Sequence, residues 1–208
     1  MDLRSNRVDD SKTLYGINTI DDNNWKIIEE KIINNSNLNW EDSCIGEVDK
    51  NSIISIPDSS VRSSKVSFFN YDEEIDNLFV KMISDYNRLY SGWNYDIEGI
   101  EDIQVTRYSK GDFYDWHVDA SSWNIVRDGR ECNRKISVTV FLNDPEEYEG
   151  GEFDLEIHSP KKNVRYESFK LSKGSIIVFP SDKWHRVRPV ISGVRKSLVI
   201  WFSGPPLR

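Results

Sequence analysis

Cysteine is scarce in this 208-residue sequence: only Cys44 and Cys132 occur, far apart and in no metal-type spacing. A disulfide framework and a thiolate zinc site are thereby excluded, and two reduced thiols are expected. Long apolar runs are missing too. No stretch approaches the roughly 18 consecutive apolar residues that cross a bilayer, and the opening MDLRSNRVDDSK lacks the apolar block of a signal peptide. A cytoplasmic protein without membrane contact is the expectation. Neither an internal repeat nor a low-complexity tract is present, so one catalytic unit is expected for a chain of this length.

Clustered positive charge is the other absence. Lys and Arg number 27 against 35 Asp and Glu, a formal charge of −8. Residues 1–103 carry 10 basic against 21 acidic side chains, or −11, and the remainder carries 17 against 14, or +3. Tracking a phosphate backbone requires clustered cations that release counterions, so nucleic acid is disfavoured as a partner. Apolar material is sufficient for a core, at 38% of residues with seven Trp.

Two segments have helical period. Asp21 and Asp22 are N-cap candidates for a helix carrying Trp25, Ile28, Ile32 and Ile33, ended by Asn-Asn-Ser. In DEEIDNLFVKMISDYNRLYSG, Ile75, Leu78, Phe79, Met82, Ile83, Tyr86, Leu89 and Tyr90 predict one buried stripe stopped by Gly92. Residues 41–66 are polar and read as strands and loops of unassigned pairing. From about residue 103 the period becomes two, in IQVTRY, KISVTVFL, FDLEIH, RYESFKL, SIIVF and RKSLVIWF, separated by Gly, Pro, Asn and Asp. An antiparallel sandwich or barrel with helices packed outside is predicted.

Two of the three histidines sit in a pattern that suggests chemistry. His117 and Asp119 are two apart, so on an extended segment both side chains would face one way. His185 lies sixty-six residues beyond Asp119, after SIIVF and Pro180, and only a fold that joins distant strands could unite the three. Two imidazoles and one carboxylate on one face of an octahedral ion leave three positions open, which suits Fe(II), whereas a structural zinc site is closed by four ligands. His-x-Asp alone is a weak signal, and a lone Arg195 reads as a surface ion pair. Arg195 and Ser197 nevertheless follow His185 by ten and twelve residues on the last strand, where a guanidinium fork and a hydroxyl on one face can grip a carboxylate. Gly150 and Gly151 are expected to make a tight turn, and His158 is expected at the surface. Phe113, Tyr114, Trp116, Trp123 and Trp184 read first as core, with Trp123 in the long loop ASSWNIVRDGRECN a candidate for the pocket rim.

The run Tyr108-Ser-Lys-Gly-Asp-Phe-Tyr-Asp-Trp-His117-Val-Asp119 resembles the signature of the prolyl-hydroxylase-like, PKHD-type branch of the 2-oxoglutarate/Fe(II) oxygenases. SVTVFLND, EGGEF and KGSIIVFPSDKWHRVRPVISGVRKSLVIWF are similar to that family's later segments, over roughly residues 100–203. The resemblance implies a double-stranded β-helix, or jelly roll, as the catalytic core of residues 101–208. Residues 1–100 would form a helical and strand elaboration of the same domain that braces the larger sheet. It implies that His117, Asp119 and His185 bind Fe(II), that Arg195 binds the distal carboxylate of 2-oxoglutarate, and that Tyr108 hydrogen-bonds this cosubstrate, with Ser197 a second contact. Dioxygen as cosubstrate and ascorbate as reductant are implied with it. Some members carry Tyr where this chain has Phe141, and Thr139, on the same strand face, or Ser197 is the expected substitute. The implied reaction is hydroxylation of an unactivated C–H bond, first of a peptidyl residue such as proline. A free amino acid or small metabolite, oxidative demethylation of nucleic acid, and a catalytically silent jelly-roll binding module are the alternatives.

Overall fold

The computed structural model describes residues 4–9, 12–49, 52–56, 58–70, 72–120, 125–127, 130–159 and 164–206. Two antiparallel sheets dominate. The larger, 10-stranded sheet runs in the order Arg4–Asp9, Lys12–Thr19, Ser175–Pro180, Arg130–Phe141, Arg195–Gly204, Ile103–Tyr108, Lys65–Phe69 and Glu41–Asp42, with two short strands off this path. The 5-stranded sheet runs Val164–Phe169, Phe153–Ser159, His185–Val187, Phe113–His117 and Arg62–Ser63. Every strand run anticipated from residue 103 onward is present.

Period-two alternation sorts the side chains of the central strands into two separate cores. Ile136, Val138 and Val140, with Leu198, Ile200 and Phe202 on the neighbouring strand, turn outward to meet two helices. Ser137, Thr139 and Phe141 take the opposite face, and Phe141 joins Phe153, Leu155, Ile157, Phe169, Phe179 and Val187 between the two sheets. Helix α1, Asp22–Ile28, is capped by Asp21, whose carboxylate accepts from the amides of Asn23 and Asn24 at 3.2 and 3.0 Å. Helix α2, Glu73–Asp85, is capped in the same way by Asp72 and inserts Ile75, Phe79, Met82 and Ile83 into the outer core.

The expected stripe of α2 fails at its end. Tyr86–Tyr90 winds as a π-helical turn, closed by the Ser91 amide donating to the Tyr86 carbonyl at 2.9 Å. The wider turn shifts the phase by one residue. Leu89 and Tyr90 therefore emerge, 70% and 40% exposed, while Asn87 is buried and bonds both the amide and the carbonyl of Tyr95. The long loop anticipated after Ala120 is in part a hairpin, because Ile125–Arg127 pairs with the start of Arg130–Phe141. Arg127 stands opposite Arg130 in that pairing. Trp123 lies outside the described residues. No helix among the described residues is long and apolar enough to cross a membrane.

Candidate active site

His117 and His185 meet as a register pair on adjacent strands of the smaller sheet. The strand Phe113–His117 carries one more residue than its partner between Tyr114–Val187 and His117–His185, a β-bulge that turns both Tyr114 and His117 toward the inter-sheet space. The rings of Tyr114 and His117 stack 3.4 Å apart at 11°. Asp119 arrives by a different route from the strand alternation expected of it. The strand ends at His117, and the amides of Asp119 and Ala120 both donate to the Ser181 carbonyl, at 3.0 and 2.8 Å. Asp119 is thereby tied to the turn that precedes His185.

The three ligand-type side chains converge, with one donor atom from each lying within 4.8 Å of the others. Asp119 Oδ1 is 3.8 Å from His117 Nε2, and Oδ2 is 3.4 Å from His185 Nε2. Each imidazole directs its other nitrogen at a backbone carbonyl: His117 Nδ1 at Asp115, 2.7 Å, and His185 Nδ1 at Lys183, 2.9 Å. A ring that donates from Nδ1 in this way leaves the Nε2 lone pair facing the convergence point. Burial, with the neighbouring His185, holds His117 well below the ordinary histidine range. Burial works against a charged Asp119, but the imidazoles of His185 and His117 outweigh it and keep this carboxyl below the usual range. Asp119 Oδ2 is buried and has no hydrogen-bond partner among the described residues. A carboxylate with an unsatisfied buried oxygen, flanked by two imidazole lone pairs, is a fit for a divalent cation.

Arg195 is 1% exposed, an unusual position for a guanidinium. It pairs across the sheet with Tyr108, and its guanidinium lies 5.4 Å from the ring centres of both Tyr108 and Phe141. Nη1 donates to Ser197 Oγ at 3.0 Å, but Nε and Nη2 have no partner among the described residues. Two buried, unpaired donors of one planar fork match the terminal carboxylate of a diacid. Gly151 makes room for this arrangement. It has φ +65°, and a Cβ there would stand 3.1 Å from Arg195 Cδ. Thr139 is buried on the inner face opposite Val199, and Phe141 pairs with Ser197.

Several inner-wall groups escaped sequence reasoning. Arg134 forks onto Glu101, with Nη2 to Oε2 at 2.8 Å, and lies 3.7 Å over the Trp201 ring, while Ser203 donates to Glu101 at 2.8 Å. Tyr114, expected in the core, is half-buried beneath the Arg62 guanidinium and packs against the inter-sheet core, and burial pushes its phenol up to about 12. Trp116 and Trp184 are not core: Trp116 packs edge-on against Tyr166 on the outer side, and Trp184 is 45% exposed. His158 is at the surface as expected, beside Glu156 at 3.0 Å.

Residues 103–203 match the family model described as the 2OG-Fe(II) oxygenase superfamily. A PKHD-type hydroxylase of Stenotrophomonas maltophilia is 40% identical over 98 residues, covering 47% of this chain and 41% of the relative. One from Synechococcus is 38% identical over 107 residues, covering 51% and 43%. The chain thus spans about two-fifths of the length of the curated relatives it matches. Among solved structures, viral collagen prolyl hydroxylase from Paramecium Bursaria Chlorella virus-1, in its 2OG complex, has TM-score 0.60 at 24% identity, covering 92% of this chain and 96% of that one. A Trichoplax adhaerens prolyl hydroxylase, in complex with a hypoxia inducible factor peptide fragment, has TM-score 0.59 at 21% identity, covering 90% and 82%. These two share the jelly-roll fold. The likeness to the 2OG-Fe(II) oxygenase superfamily is thus carried by residues 103–203, and within that segment the relatives are PKHD-type hydroxylases.

Proposed function

We propose that this protein is a 2-oxoglutarate- and Fe(II)-dependent hydroxylase of a peptidyl residue, proline first. His117, Asp119 and His185 hold the iron, and Arg195, with Ser197 and Tyr108, holds 2-oxoglutarate. The observation that carries the reading is the buried Arg195 with two unsatisfied donors, bordering the same inter-sheet core as a triad whose Asp119 also has an unsatisfied oxygen. A site that merely stabilised the fold would pair those groups internally.

When bound, iron and 2-oxoglutarate supply the oxidative chemistry that converts an unactivated C–H bond to an alcohol with dioxygen. The chain's own residues do the positioning. Arg195 fixes one end of the diacid in a fork geometry, so that its other end has one orientation toward the triad. The Nδ1 bonds to Asp115 and Lys183 lock both imidazole rings. Arg134, stacked on Trp201, and Tyr114, stacked on His117, offer a fixed guanidinium and aromatic faces for holding a peptide. Support for a peptide over a free amino acid comes from the shared fold with the Trichoplax enzyme, which was solved with a peptide. Thr139 lines the inner face, and ascorbate would serve to keep the metal reduced.

The test is anaerobic addition of Fe(II) and 2-oxoglutarate, followed by the weak visible charge-transfer band, in wild type and His117→Ala. The band should require both additions and should vanish in the variant. A band of undiminished intensity in His117→Ala overturns the ligand assignment. Succinate release under air by the iron-loaded protein separates an oxygenase from a silent binding module.

A further inference from the structure

Phe141 lies 5.4 Å from the Arg195 guanidinium and has no proton to donate. A carboxylate offers about four lone-pair directions, and a guanidinium fork occupies two. Another donor in this buried space is therefore expected, because leaving a carboxylate oxygen bare in a low-dielectric site is costly.

Tyr148 meets the requirement from a different element. It opens the strand Tyr148–Gly150, which pairs with Val190–Gly193, and Val190 belongs to the inter-sheet core. Its side chain is buried, 5% exposed, and its Oη has no hydrogen-bond partner among the described residues. It stands beside Arg195 across a gap that Gly151 keeps open. The point where a Gly151 Cβ would lie is 3.1 Å from Arg195 Cδ and 3.2 Å from Tyr148 Cε2. Tyr148 and Arg195 act on one another electrostatically, and Tyr148 Oη and Arg195 Nε and Nη2 are buried without a well-formed hydrogen bond among the described residues. Burial raises the phenol above its ordinary range by more than Arg195 lowers it, so the hydroxyl keeps its proton at neutral pH. Lys170 fixes the ring: its Nζ donates to the Tyr148 carbonyl at 2.7 Å and lies 4.6 Å over the ring centre.

We infer that Tyr148 donates its phenolic hydrogen bond to the terminal carboxylate held by Arg195, doing from the Tyr148–Gly150 ribbon what Phe141 cannot do from the central sheet. The inference rests on the reading of Arg195 as the diacid site. It makes the ligand class specific: a short 2-oxo acid ending in a free carboxylate, gripped by a guanidinium, a phenol and the Ser197 hydroxyl.

The experiment is anaerobic titration of the Fe(II)-loaded full chain with 2-oxoglutarate, in wild type and Tyr148→Phe, alongside ligand-free melting temperatures. Loss of one hydrogen bond to a charged group should weaken the apparent Kd about tenfold. The ligand-free melting temperature should stay within about 2 °C, since only one oxygen is removed. A Kd within twofold of wild type overturns the inference while leaving the Arg195 reading intact. A weaker Kd with a melting temperature lower by more than that margin makes Tyr148 a packing residue and overturns it as well. If the wild type itself binds no 2-oxoglutarate, the parent reading fails with it.

Discussion

Asp154 is wholly buried in the smaller sheet, yet it is saturated: Arg186 Nε donates at 2.7 Å, Arg188 Nε at 2.8 Å and Ser168 Oγ at 2.6 Å. Burial works to raise its carboxyl, but hydrogen bonds from Arg188, Ser168 and Arg186 outweigh this and hold it below the ordinary range. Its folded value lies beneath the roughly 3.9 of an unfolded chain, so its stabilisation is fully present above about pH 4 and fades as pH falls through the folded value. Asp154→Asn should cost about 2–3 kcal/mol at pH 7, discounted because both arginines keep some solvent contact. Urea unfolding of the two proteins should show that gap closing below about pH 4. At this scale the sequence disclosed what sits in a motif and hid what depends on a bulge. His117, Asp119, His185 and Arg195 stand in a spaced pattern. Arg134 does not: counting back by twos from Ser137 turns Lys135 inward, and the irregularity between Arg134 and Ile136 reverses the alternation. Tyr148, just before two glycines, reads only as the flank of a turn.

Helix α2 shows how far an element can be read from its period. Asp72 accepts from the amides of Glu74 and Ile75, both at 3.1 Å, and also pairs with Lys31 at 2.9 Å. Asp72→Ala should cost about 1 kcal/mol, lowering the melting temperature by about 2–4 °C in a thermal scan. The apolar spacing is legible as far as Tyr86 and misleading after it, since nothing in YNRLY announces a π-turn. The strand Lys12–Thr19 was invisible for another reason. Gly16 interrupts its β-forming residues, and a Cβ there would run into the Tyr86 ring, so the residue that spoils the strand signal is required by the helix packed over it. Residues 41–66 contribute the two-residue strands Glu41–Asp42 and Arg62–Ser63, too brief to leave a period, and a separate pair of five-residue strands, Ile45–Asp49 and Ser52–Ile56.

At the scale of the molecule, the helices and flanking strands of the first hundred residues cover one face of the larger sheet. Residues 101–208 alone would bare Ile136, Val138, Val140, Ile176, Val178, Leu198 and Ile200, all buried at present. That fragment should bind a dye such as ANS and self-associate, rather than melt cooperatively like the full chain. A fragment that unfolds in one sharp transition would show the N-terminal half to be dispensable. An antiparallel sandwich or barrel was readable because six runs of alternating residues followed two helices, the jelly roll was implied by the resemblance, and the added edge strands were not readable. The larger sheet also acts as a partition. Along Arg130–Phe141 and Arg195–Gly204, alternate residues face the helix-covered core and the inter-sheet core that borders the triad and Arg195. On the proposed reading of the site, thermal robustness and ligand preference are written on alternate letters of the same two strands, and either is open to drift or redesign while the other is left as it stands.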